Sequence, residues 1–289
     1  MTTISPRSST PPGAAPAASG PYVPPPVNKV EDTGLSPLWL QDLALKVMYF
    51  QGYMTGFKVA EEIALPFSGV VDQIMETLKR EKLIEVRSSQ GGLGDGAYLY
   101  AITGAGINRA REALERSQYA GPAPVTLDAY NQACQRQSRA RIQVTARTMR
   151  QVLGSLVLSE KTFHRVGPAV NSGTSIFIYG PPGNGKTSIA RAIGALTQTM
   201  PIYIPYAIYV EGQVIKLYDS VNHQVIPEEN GKAAPAGAAQ LRTRRDPRWL
   251  QIQRPFIVTG GELTLDGLDL VYDDVHRFYE APFQMRANG

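Results

Sequence analysis

The chain has 289 residues with 43% hydrophobic and 19% charged side chains, which is ordinary for a soluble globular protein large enough for two domains. Its formal net charge is only +4, so an argument for nucleic-acid binding must rest on where the charges lie. The single cysteine, Cys134, excludes an internal disulfide framework and a cysteine-based zinc site, and the three histidines show no metal-ligand spacing. We therefore predict no zinc.

The N-terminal region lacks the basic, apolar and small-residue order of a secretory signal, and no stretch of about 18 apolar residues occurs. We expect a cytoplasmic protein that does not contact a membrane. Residues 1–28 contain eight prolines among Ala, Ser and Gly, a composition that cannot bury enough apolar surface to offset chain entropy. Residues 1–34 are thus predicted to be a disordered Pro/Ala-rich tail that acts as a spacer, with a polyproline motif for a partner as the alternative.

Three helices are predicted next. Ser36 followed by Pro37 is typical of an N-cap and the first position of a helix, and a short second helix should end near residues 65–66. Ser68 is predicted to cap the third helix. Apolar residues recur at helical spacing in the first helix at Leu40, Leu43, Val47 and Phe50, and in the third at Val70, Val71, Ile74, Met75 and Leu78.

Residues 83–87 and 97–102 predict the two strands of a hairpin with a glycine-rich tip at 91–96, and Thr103 is expected to cap a fourth helix. The order helix, helix, helix, hairpin, helix resembles a winged helix, which predicts a small α+β domain over residues 35–118. The resemblance places residues 68–82 in the position of the recognition helix and 88–96 in the wing. In DNA-binding members of that family the third helix enters the major groove.

The charges of residues 35–118 favour another use of this domain. Nine Lys and Arg stand against ten Asp and Glu, a net charge of −1, and the outward positions of the third helix include Asp72, Gln73 and Glu76. Because duplex binding requires several neutralised phosphates, contact with a protein partner is the preferred interpretation and DNA binding is the alternative.

Residues 121–124, Gly-Pro-Ala-Pro, mark a domain boundary, and residues 119–158 are predicted to be a basic helical linker. Between 119 and 170, seven basic residues stand against two acidic ones, a net charge of +5. A solvated helix face is the preferred reading of these charges, and contact with nucleic acid or an acidic partner is the alternative.

The most specific motif lies between the apolar run 176–179, predicted to be a strand, and a helix predicted to extend to about Leu196. The pattern G-x-x-x-x-G-K-[ST] is that of a loop whose backbone N–H groups surround a β-phosphate. Lys186 is predicted to reach the β- and γ-phosphates and to be the catalytic residue, and Thr187 to bind Mg²⁺. The predicted nucleotide-binding residues are Gly180, Pro181, Pro182, Gly183, Asn184, Gly185, Lys186, Thr187 and Ser188.

Spelled GPPGNGKT, this loop resembles the Walker A segment of AAA-type ATPases, and residues 159–173 resemble the helix and turn before the first strand of such modules. The resemblance implies an α/β fold with a P-loop NTPase core of parallel strands over 159–289. It also implies ATP and Mg²⁺ as ligands, ATP hydrolysis, and a homo-oligomeric ring in which a neighbour supplies an arginine.

After the loop helix, residues 202–210 and 213–218 predict two β-rich runs joined at Glu211-Gly212, followed by a flexible stretch at 230–239. A further strand is predicted at 255–260. Before it lies a cluster of arginines with three alternative roles: to contact the nucleotide of a neighbouring subunit, to line the pore of a ring, or only to keep the protein soluble. Its members are Arg242, Arg244, Arg245, Arg248 and Arg254.

Hydrolysis also needs carboxylates that hold Mg²⁺ and orient water. No segment copies the family's run of four hydrophobic residues followed by Asp and then Glu or Asp. The candidates are Glu262, Asp273, Asp274 and Asp219. One hypothesis is that the acidic strand and the helical lid lie beyond residue 289.

Three functions follow from these patterns. The leading hypothesis is an AAA-type ATPase that remodels or regulates a macromolecule recognised by the winged-helix domain. The alternative is a nucleotide-sensing DNA-binding regulator, and the third is a P-loop protein that binds nucleotide without turnover.

Overall fold

The computed structural model describes residues 22–89, 95–139, 144–154, 159–197, 201–227, 245–261 and 263–288, and within them the protein is mixed α/β. The α-helices of these residues are α1 (Pro37–Gln51), α2 (Gly56–Glu62), α3 (Asp72–Arg80), α4 (Gly104–Arg116), α5 (Leu127–Arg139), α6 (Ala146–Leu153), α7 (Glu160–Ser172), α8 (Lys186–Thr197) and α9 (Phe283–Arg286). The strands are β1 (Tyr53–Thr55), β2 (Ile84–Ser89), β3 (Tyr98–Ile102), β4 (Val125–Thr126), β5 (Pro201–Pro205), β6 (Ala207–Val210), β7 (Gln213–Lys216), β8 (Trp249–Gln253), β9 (Val271–Asp273) and β10 (Phe278–Glu280). Residues 1–21 of the predicted tail lie outside the described residues. Its remaining part, 22–34, packs on the protein: Val27, Val30 and Thr33 are buried, and Glu31–Thr33 forms a 3₁₀ turn.

Helix α1 begins as predicted. Ser36 is its N-cap and accepts a hydrogen bond from the backbone N–H of Trp39, and Pro37 occupies the first helical position, where its missing N–H costs nothing. Leu40, Leu43 and Val47 are buried in the largest apolar cluster of the protein, whereas Phe50 is 64% exposed. The apolar spacing therefore identifies the buried face of α1 except in its last turn.

Helix α3 starts differently from the prediction. Ser68 does not cap it, because the chain first makes a non-helical turn in which Ser68 is extended and Gly69 is left-handed, with a φ of 85°. The carboxylate of Asp72 accepts from the backbone N–H groups of Gly69 and Gln73 and stabilises this turn. The five apolar positions predicted to share a face of the third helix are all buried.

The hairpin of β2 and β3 and the cap of α4 are confirmed. Strands β1, β3 and β2 form an antiparallel sheet in that order, and the Thr103 hydroxyl accepts from the N–H of Gly106. Residues 90–94 at the hairpin tip lie outside the described residues. The predicted order helix, helix, helix, hairpin, helix is thus present, and residues 35–118 are called the helix–hairpin unit below.

A five-stranded sheet with the order β4-β6-β7-β10-β9 follows this unit. The pairs β4–β6 and β7–β10 are parallel, and β6–β7 and β9–β10 are antiparallel. Glu211 and Gly212 connect β6 to β7 as the predicted two-residue hairpin turn. The sheet is therefore mixed, unlike the core of parallel strands predicted for 159–289, because the antiparallel pairs β6–β7 and β9–β10 join its parallel pairs. The segment that precedes the GPPGNGKT motif does not belong to this sheet.

A separate two-stranded antiparallel sheet pairs β5 with β8. The prediction of a strand at 255–260 is wrong, since the strand is Trp249–Gln253. Trp249 and Ile252 are buried in a second apolar cluster, which also contains residues of β5, β6 and α5. Pro255 explains why pairing does not continue, because proline has no N–H to donate to a ladder.

The segment predicted to begin a linker packs closely in the structure. Ala123 and Val125 are fully buried, and the N–H of Ala123 donates to the Ile63 carbonyl over 2.7 Å. Tyr130 and Ala133 on α5 are buried in the cluster that contains β6 and β8. The predicted helical character of 119–158 is present in α5 and α6, and α5 is part of the core around the sheet.

Aromatic contacts join the helix–hairpin unit to the five-stranded sheet. The ring of Trp39 meets that of Tyr209 edge to face at 5.4 Å, and the ring of Tyr119, directly after the unit, meets that of Phe278 in the same manner at 5.9 Å. Ala207, Val214 and Phe278 lie in the same buried cluster as α1 and α3. The two parts therefore share one apolar core.

Helices α6, α7 and α8 form a smaller group, called the helical cluster below. Its buried residues are Val144, Met149, Leu153 and Leu196, with Phe163, Val166 and Val170 of α7 packed against them. Asn171 fastens α7 to the start of α6, since its side chain both accepts from the N–H of Val144 and donates to its carbonyl. This cluster supports the helix that follows the glycine-rich loop. None of the helices in the described ranges has the length and apolar character that a bilayer span requires.

Candidate phosphate-binding loop

Residues 180–187, called the phosphate loop below, connect residues 176–179 to α8. Gly183 and Gly185 have φ angles of 85° and 70°, in the left-handed region that side chains with a Cβ rarely adopt. No atom lies within 4 Å of a Cβ built on either glycine, so backbone conformation rather than crowding requires glycine here. The sequence motif therefore matches a local geometry that needs its glycines.

Lys186 is the first residue of α8, and its side chain folds back over the loop. Its Nζ donates to the carbonyl oxygens of Gly180 and Pro181 over 3.0 and 2.7 Å. A bound phosphate would exchange these neutral acceptors for charged oxygens, which form stronger hydrogen bonds with an ammonium group. The loop thus holds its cation directly above the turn that the motif assigns to phosphate.

The N-terminus of α8 completes the arrangement. The N–H of Ile189 donates to the Gly185 carbonyl over 2.9 Å, and buried Ile189 anchors the first turn. Thr187 and Ser188 are exposed in that turn, where a hydroxyl can bind a metal ion held by a phosphate. Gly194 lets the helix lie directly on the Phe256 ring, which a Cβ at this position would meet at 2.5 Å.

The prediction of a strand at 176–179 is wrong. The segment has no regular secondary structure and pairs with no strand among the described residues. Phe177 and Tyr179 are 86% and 82% exposed, and their rings stack on each other at 5.9 Å. Apolar composition alone does not determine which strands a segment pairs with, and the five-stranded sheet consists of other segments.

The candidate carboxylates serve their own turns. Asp219 accepts from the N–H of Val221 and from Asn222 and forms an ion pair with Arg286 at 2.9 Å. Burial opposes ionisation of Asp219, but these partners outweigh it and lower the pKa of its carboxyl group. Neither Asp219 nor Asp273 forms a hydrogen bond or ion pair with the phosphate loop within the described ranges.

Asp273 caps the turn between β9 and β10. It accepts from the N–H groups of Val275 and His276 and from the His276 ring, and these bonds lower the pKa of its carboxyl group. Asp274 is exposed in the same turn, and Glu262 lies outside the described residues. The assignment of a carboxylate to a hydrolytic site therefore stays a prediction from the sequence.

Of the arginine cluster, Arg248 has a clear structural place. It is 3% exposed, its guanidinium pairs with Asp246 at 2.8 Å, and its Nη1 donates to the carbonyl oxygens of Thr33 and Pro124. Arg248 therefore connects the segments on either side of the helix–hairpin unit to the start of β8, and it is too enclosed to reach a neighbouring subunit. Arg245 lies over the Tyr203 ring, and Arg242 and Arg244 fall outside the described residues.

The helix–hairpin unit carries its charges unevenly. Arg109 and Arg116 on α4 both bind the carboxylate of Asp42, so they are engaged within the unit. The exposed residues of α3 include Gln73 and Glu76 in its first half and two basic residues, Lys79 and Arg80, at its end. The positive surface of α3 is thus confined to its last turn.

The basic face of α5 and α6 is also partly engaged. Arg136 lies over the Tyr22 ring, and Arg150 lies over the Phe163 ring, close to the Glu160 carboxylate. Cys134 is partly buried in α5, and burial raises the pKa of its thiol. Arg136 and Arg150 therefore each contact an aromatic ring of the same chain.

No protein-family model and no curated protein sequence matches the chain. Among solved structures, it aligns with the ligand-free form of an organohalide-sensing transcriptional regulator at 15% sequence identity. The alignment covers 52% of this chain and 77% of the regulator, with a TM-score of 0.22. A TM-score this low does not establish a common fold, and the regulator's activity is therefore not transferred to this chain.

Proposed function

We propose that the chain binds ATP with Mg²⁺ at residues 180–188 and uses its hydrolysis to remodel or regulate a partner macromolecule, as an AAA-type ATPase does. The observation that carries the proposal is the position of Lys186 over a loop whose glycines adopt left-handed backbone angles. Backbone N–H groups of residues 182–187 would surround the β-phosphate. Thr187 would bind the metal ion, which supplies charge neutralisation between the β- and γ-phosphates.

The roles of the residues follow from their chemistry. Lys186 would stabilise charge on the β- and γ-oxygens, and the first turn of α8 would add its N–H dipoles. An acidic residue would have to orient the attacking water, and Asp219, Asp273, Asp274 and Glu262 are the candidates that the sequence offers. A ring of subunits, each receiving an arginine from its neighbour, belongs to the same proposal and rests on the family resemblance alone.

The helix–hairpin unit would recognise the partner. Its net charge of −1 and the acidic first half of α3 favour a protein over a nucleic acid. The alternative is a nucleotide-sensing DNA-binding regulator, and the observation in its favour is the exposed pair of basic residues at the end of α3, Lys79 and Arg80. A gel-shift titration with arbitrary duplex at increasing salt separates the two, because phosphate contacts weaken steeply with salt.

The proposal is tested by thermal unfolding with and without MgATP, with phosphate release followed in the same samples. Ligand at one hundred times its Kd should stabilise the protein by about 2.7 kcal/mol. At the same ligand concentration, a 10- to 100-fold weaker site in Lys186→Ala should reduce the stabilisation to about 0.4–1.4 kcal/mol, whereas Lys161→Ala, an exposed lysine on α7, should retain the full shift. Equal shifts in the two variants, or no shift in the wild type, would contradict the proposal.

Phosphate release separates an ATPase from a protein that only binds nucleotide. Release by the wild type that disappears in Lys186→Ala supports hydrolysis at this loop. Binding without release rejects the enzymatic part and leaves the nucleotide-binding part standing.

A further inference from the structure

A cavity lies where the connector after α4 meets the five-stranded sheet, and we call it the junction cavity. It consists of two adjoining depressions of 230 and 410 Å³ that share Lys216 and Tyr218 as lining residues. One wall comes from residues 118–122 and the other from β7, β10 and the turn after β7. Together the depressions have the size of a site for a small molecule.

The smaller depression is aromatic. The rings that line it are those of Tyr119, Tyr206, Tyr218 and Phe278. Tyr206 and Tyr218 meet edge to face at 5.5 Å, and the Tyr119 hydroxyl donates to the Pro122 carbonyl over 2.6 Å, which fixes its ring. Fixed aromatic walls accept a flat apolar ring at a small entropic cost, because few side-chain rotations remain to be lost.

The larger depression is charged. Arg286 binds Asp219 at 2.9 Å and Glu280 at 3.0 Å, and its Nε donates to the Ala281 carbonyl. The His223 ring holds the same segment in place by donating from Nε2 to the Arg286 carbonyl, since Nδ1 accepts from the N–H of Asp219. One guanidinium balances only one of two carboxylates, so this group carries a net charge of −1.

Lys216 stands between the two depressions. Its Cα is the register partner of Glu280 across the parallel pair β7–β10, yet Glu280 turns to Arg286 instead. The exposed Lys216 ammonium forms no ion pair with any residue in the described part of the chain. An unpaired cation and a surplus negative charge therefore lie side by side at the mouth of an aromatic depression.

We propose that the junction cavity binds an α-amino acid with an aromatic side chain. The ring enters the aromatic depression, the carboxylate pairs with Lys216, and the ammonium group faces the carboxylates of Glu280 and Asp219. Ammonium and carboxylate are attached to the same carbon in such a ligand, which matches two protein charges on neighbouring strands. An aromatic acid without the amine would leave the surplus negative charge unmatched.

Binding at this place would have a structural consequence. The ligand would touch residues 118–122, which follow the helix–hairpin unit, and also two strands of the sheet. It would therefore stabilise the junction between these parts, as an effector does. The junction cavity contains no residue of the phosphate loop, so amino-acid binding there is independent of nucleotide binding.

The test is a calorimetric titration of the full chain with L-phenylalanine, beside three analogues that each lack one feature. The analogues are 3-phenylpropionate without the amine, 2-phenylethylamine without the carboxylate, and L-alanine without the ring. Phenylalanine should bind saturably and each analogue about ten-fold or more weakly. The first two analogues lose a hydrogen bond to a charged group, which contributes about 1.5–3 kcal/mol, and L-alanine loses the burial of the aromatic ring. Absence of saturable phenylalanine binding, or equal affinity for any analogue, would overturn the proposal.

Two variants locate the site. Lys216→Met keeps the exposed aliphatic stem and should weaken phenylalanine binding about ten-fold or more, and Glu280→Gln should weaken phenylalanine but not 3-phenylpropionate. Lys79→Met on α3 is the matched control and should bind like the wild type. Unchanged affinity in Lys216→Met, with its thermal midpoint preserved, would place binding elsewhere and reject the junction cavity.

Discussion

Arg248→Met tests whether a buried ion pair holds the segments that flank the helix–hairpin unit, at residues 33 and 124, to the start of β8. The guanidinium pairs with Asp246, whose side chain is 5% exposed, and donates to Thr33 and Pro124 over 2.9 and 3.0 Å. Methionine keeps most of the apolar stem but removes the donor of two carbonyl oxygens and leaves the Asp246 carboxylate, in the described part of the chain, with only the backbone N–H of residue 248. Breaking a buried pair on one side costs about 3–5 kcal/mol, so we expect the free energy of unfolding to fall by about 4 kcal/mol.

Urea unfolding followed by tryptophan fluorescence measures this loss. Trp39 packs on the first apolar cluster and Trp249 is buried in the second, so the signal reports both sides of the junction. Arg87→Met is the control, because Arg87 is exposed and pairs with exposed Glu85; such a pair contributes about 1 kcal/mol at most.

A second variant separates the charge from the packing. Arg248→Met combined with Asp246→Asn removes the unpaired carboxylate, and we expect the double variant to recover part of the loss, because a neutral amide is less costly to bury. If Arg248→Met unfolds within about 1 kcal/mol of the wild type, the ion pair does not hold the junction and the reasoning fails.

Three further predictions concern pH and the phosphate loop. Burial lowers the pKa of His223 below its usual 6.5, so the contribution of this group to the free energy of unfolding should be fully present above that pH and should be lost as the pH falls below it. Thermal midpoints should show this loss in the wild type, and the loss should be absent in His223→Gln. Burial lowers the pKa of Lys46 to about 8, so between that pH and 10.5 the unfolded state binds more protons than the folded state. The free energy of unfolding should therefore rise by about 1–2 kcal/mol from about pH 8 to 9.5 in the wild type, but not in Lys46→Met. Gly183→Val, at a φ of 85° with open space around it, should cost about 1–2 kcal/mol in stability yet remove ATP binding, and retained binding in a titration would contradict the geometry assigned to the loop.

The sequence predicts best those features that are encoded within a few residues. Ser36 and Thr103 cap their helices as expected, because an N-cap needs only a side-chain oxygen and the following backbone N–H groups. The two-residue turn at 211–212 and the glycines of the phosphate loop are local in the same way. Ser68 is the exception, since the turn at Ser68 and Gly69 delays the start of α3 to Asp72.

Features that depend on distant neighbours are not predicted. The segments 176–179 and 255–260 are apolar enough for strands, yet a strand also needs a partner, and β5 and β8 pair with each other instead. Arg248 sits in a run of arginines that suggests an exposed face, and only the fold shows its buried contacts with residues 33 and 124. Lys216 interrupts an apolar strand, which is the one local signal that a charged group faces a cavity there.

The most direct test of the central claim is an equilibrium titration of ATP with Mg²⁺ against the wild type, Lys186→Ala and Lys161→Ala. Loss of the ammonium that lies over the loop should weaken ATP binding about 10- to 100-fold, since it removes charge-assisted hydrogen bonds, and Lys161→Ala should leave it unchanged. If the wild type shows no saturable ATP binding, or if Lys186→Ala binds as tightly as the wild type, residues 180–188 are not a nucleotide site.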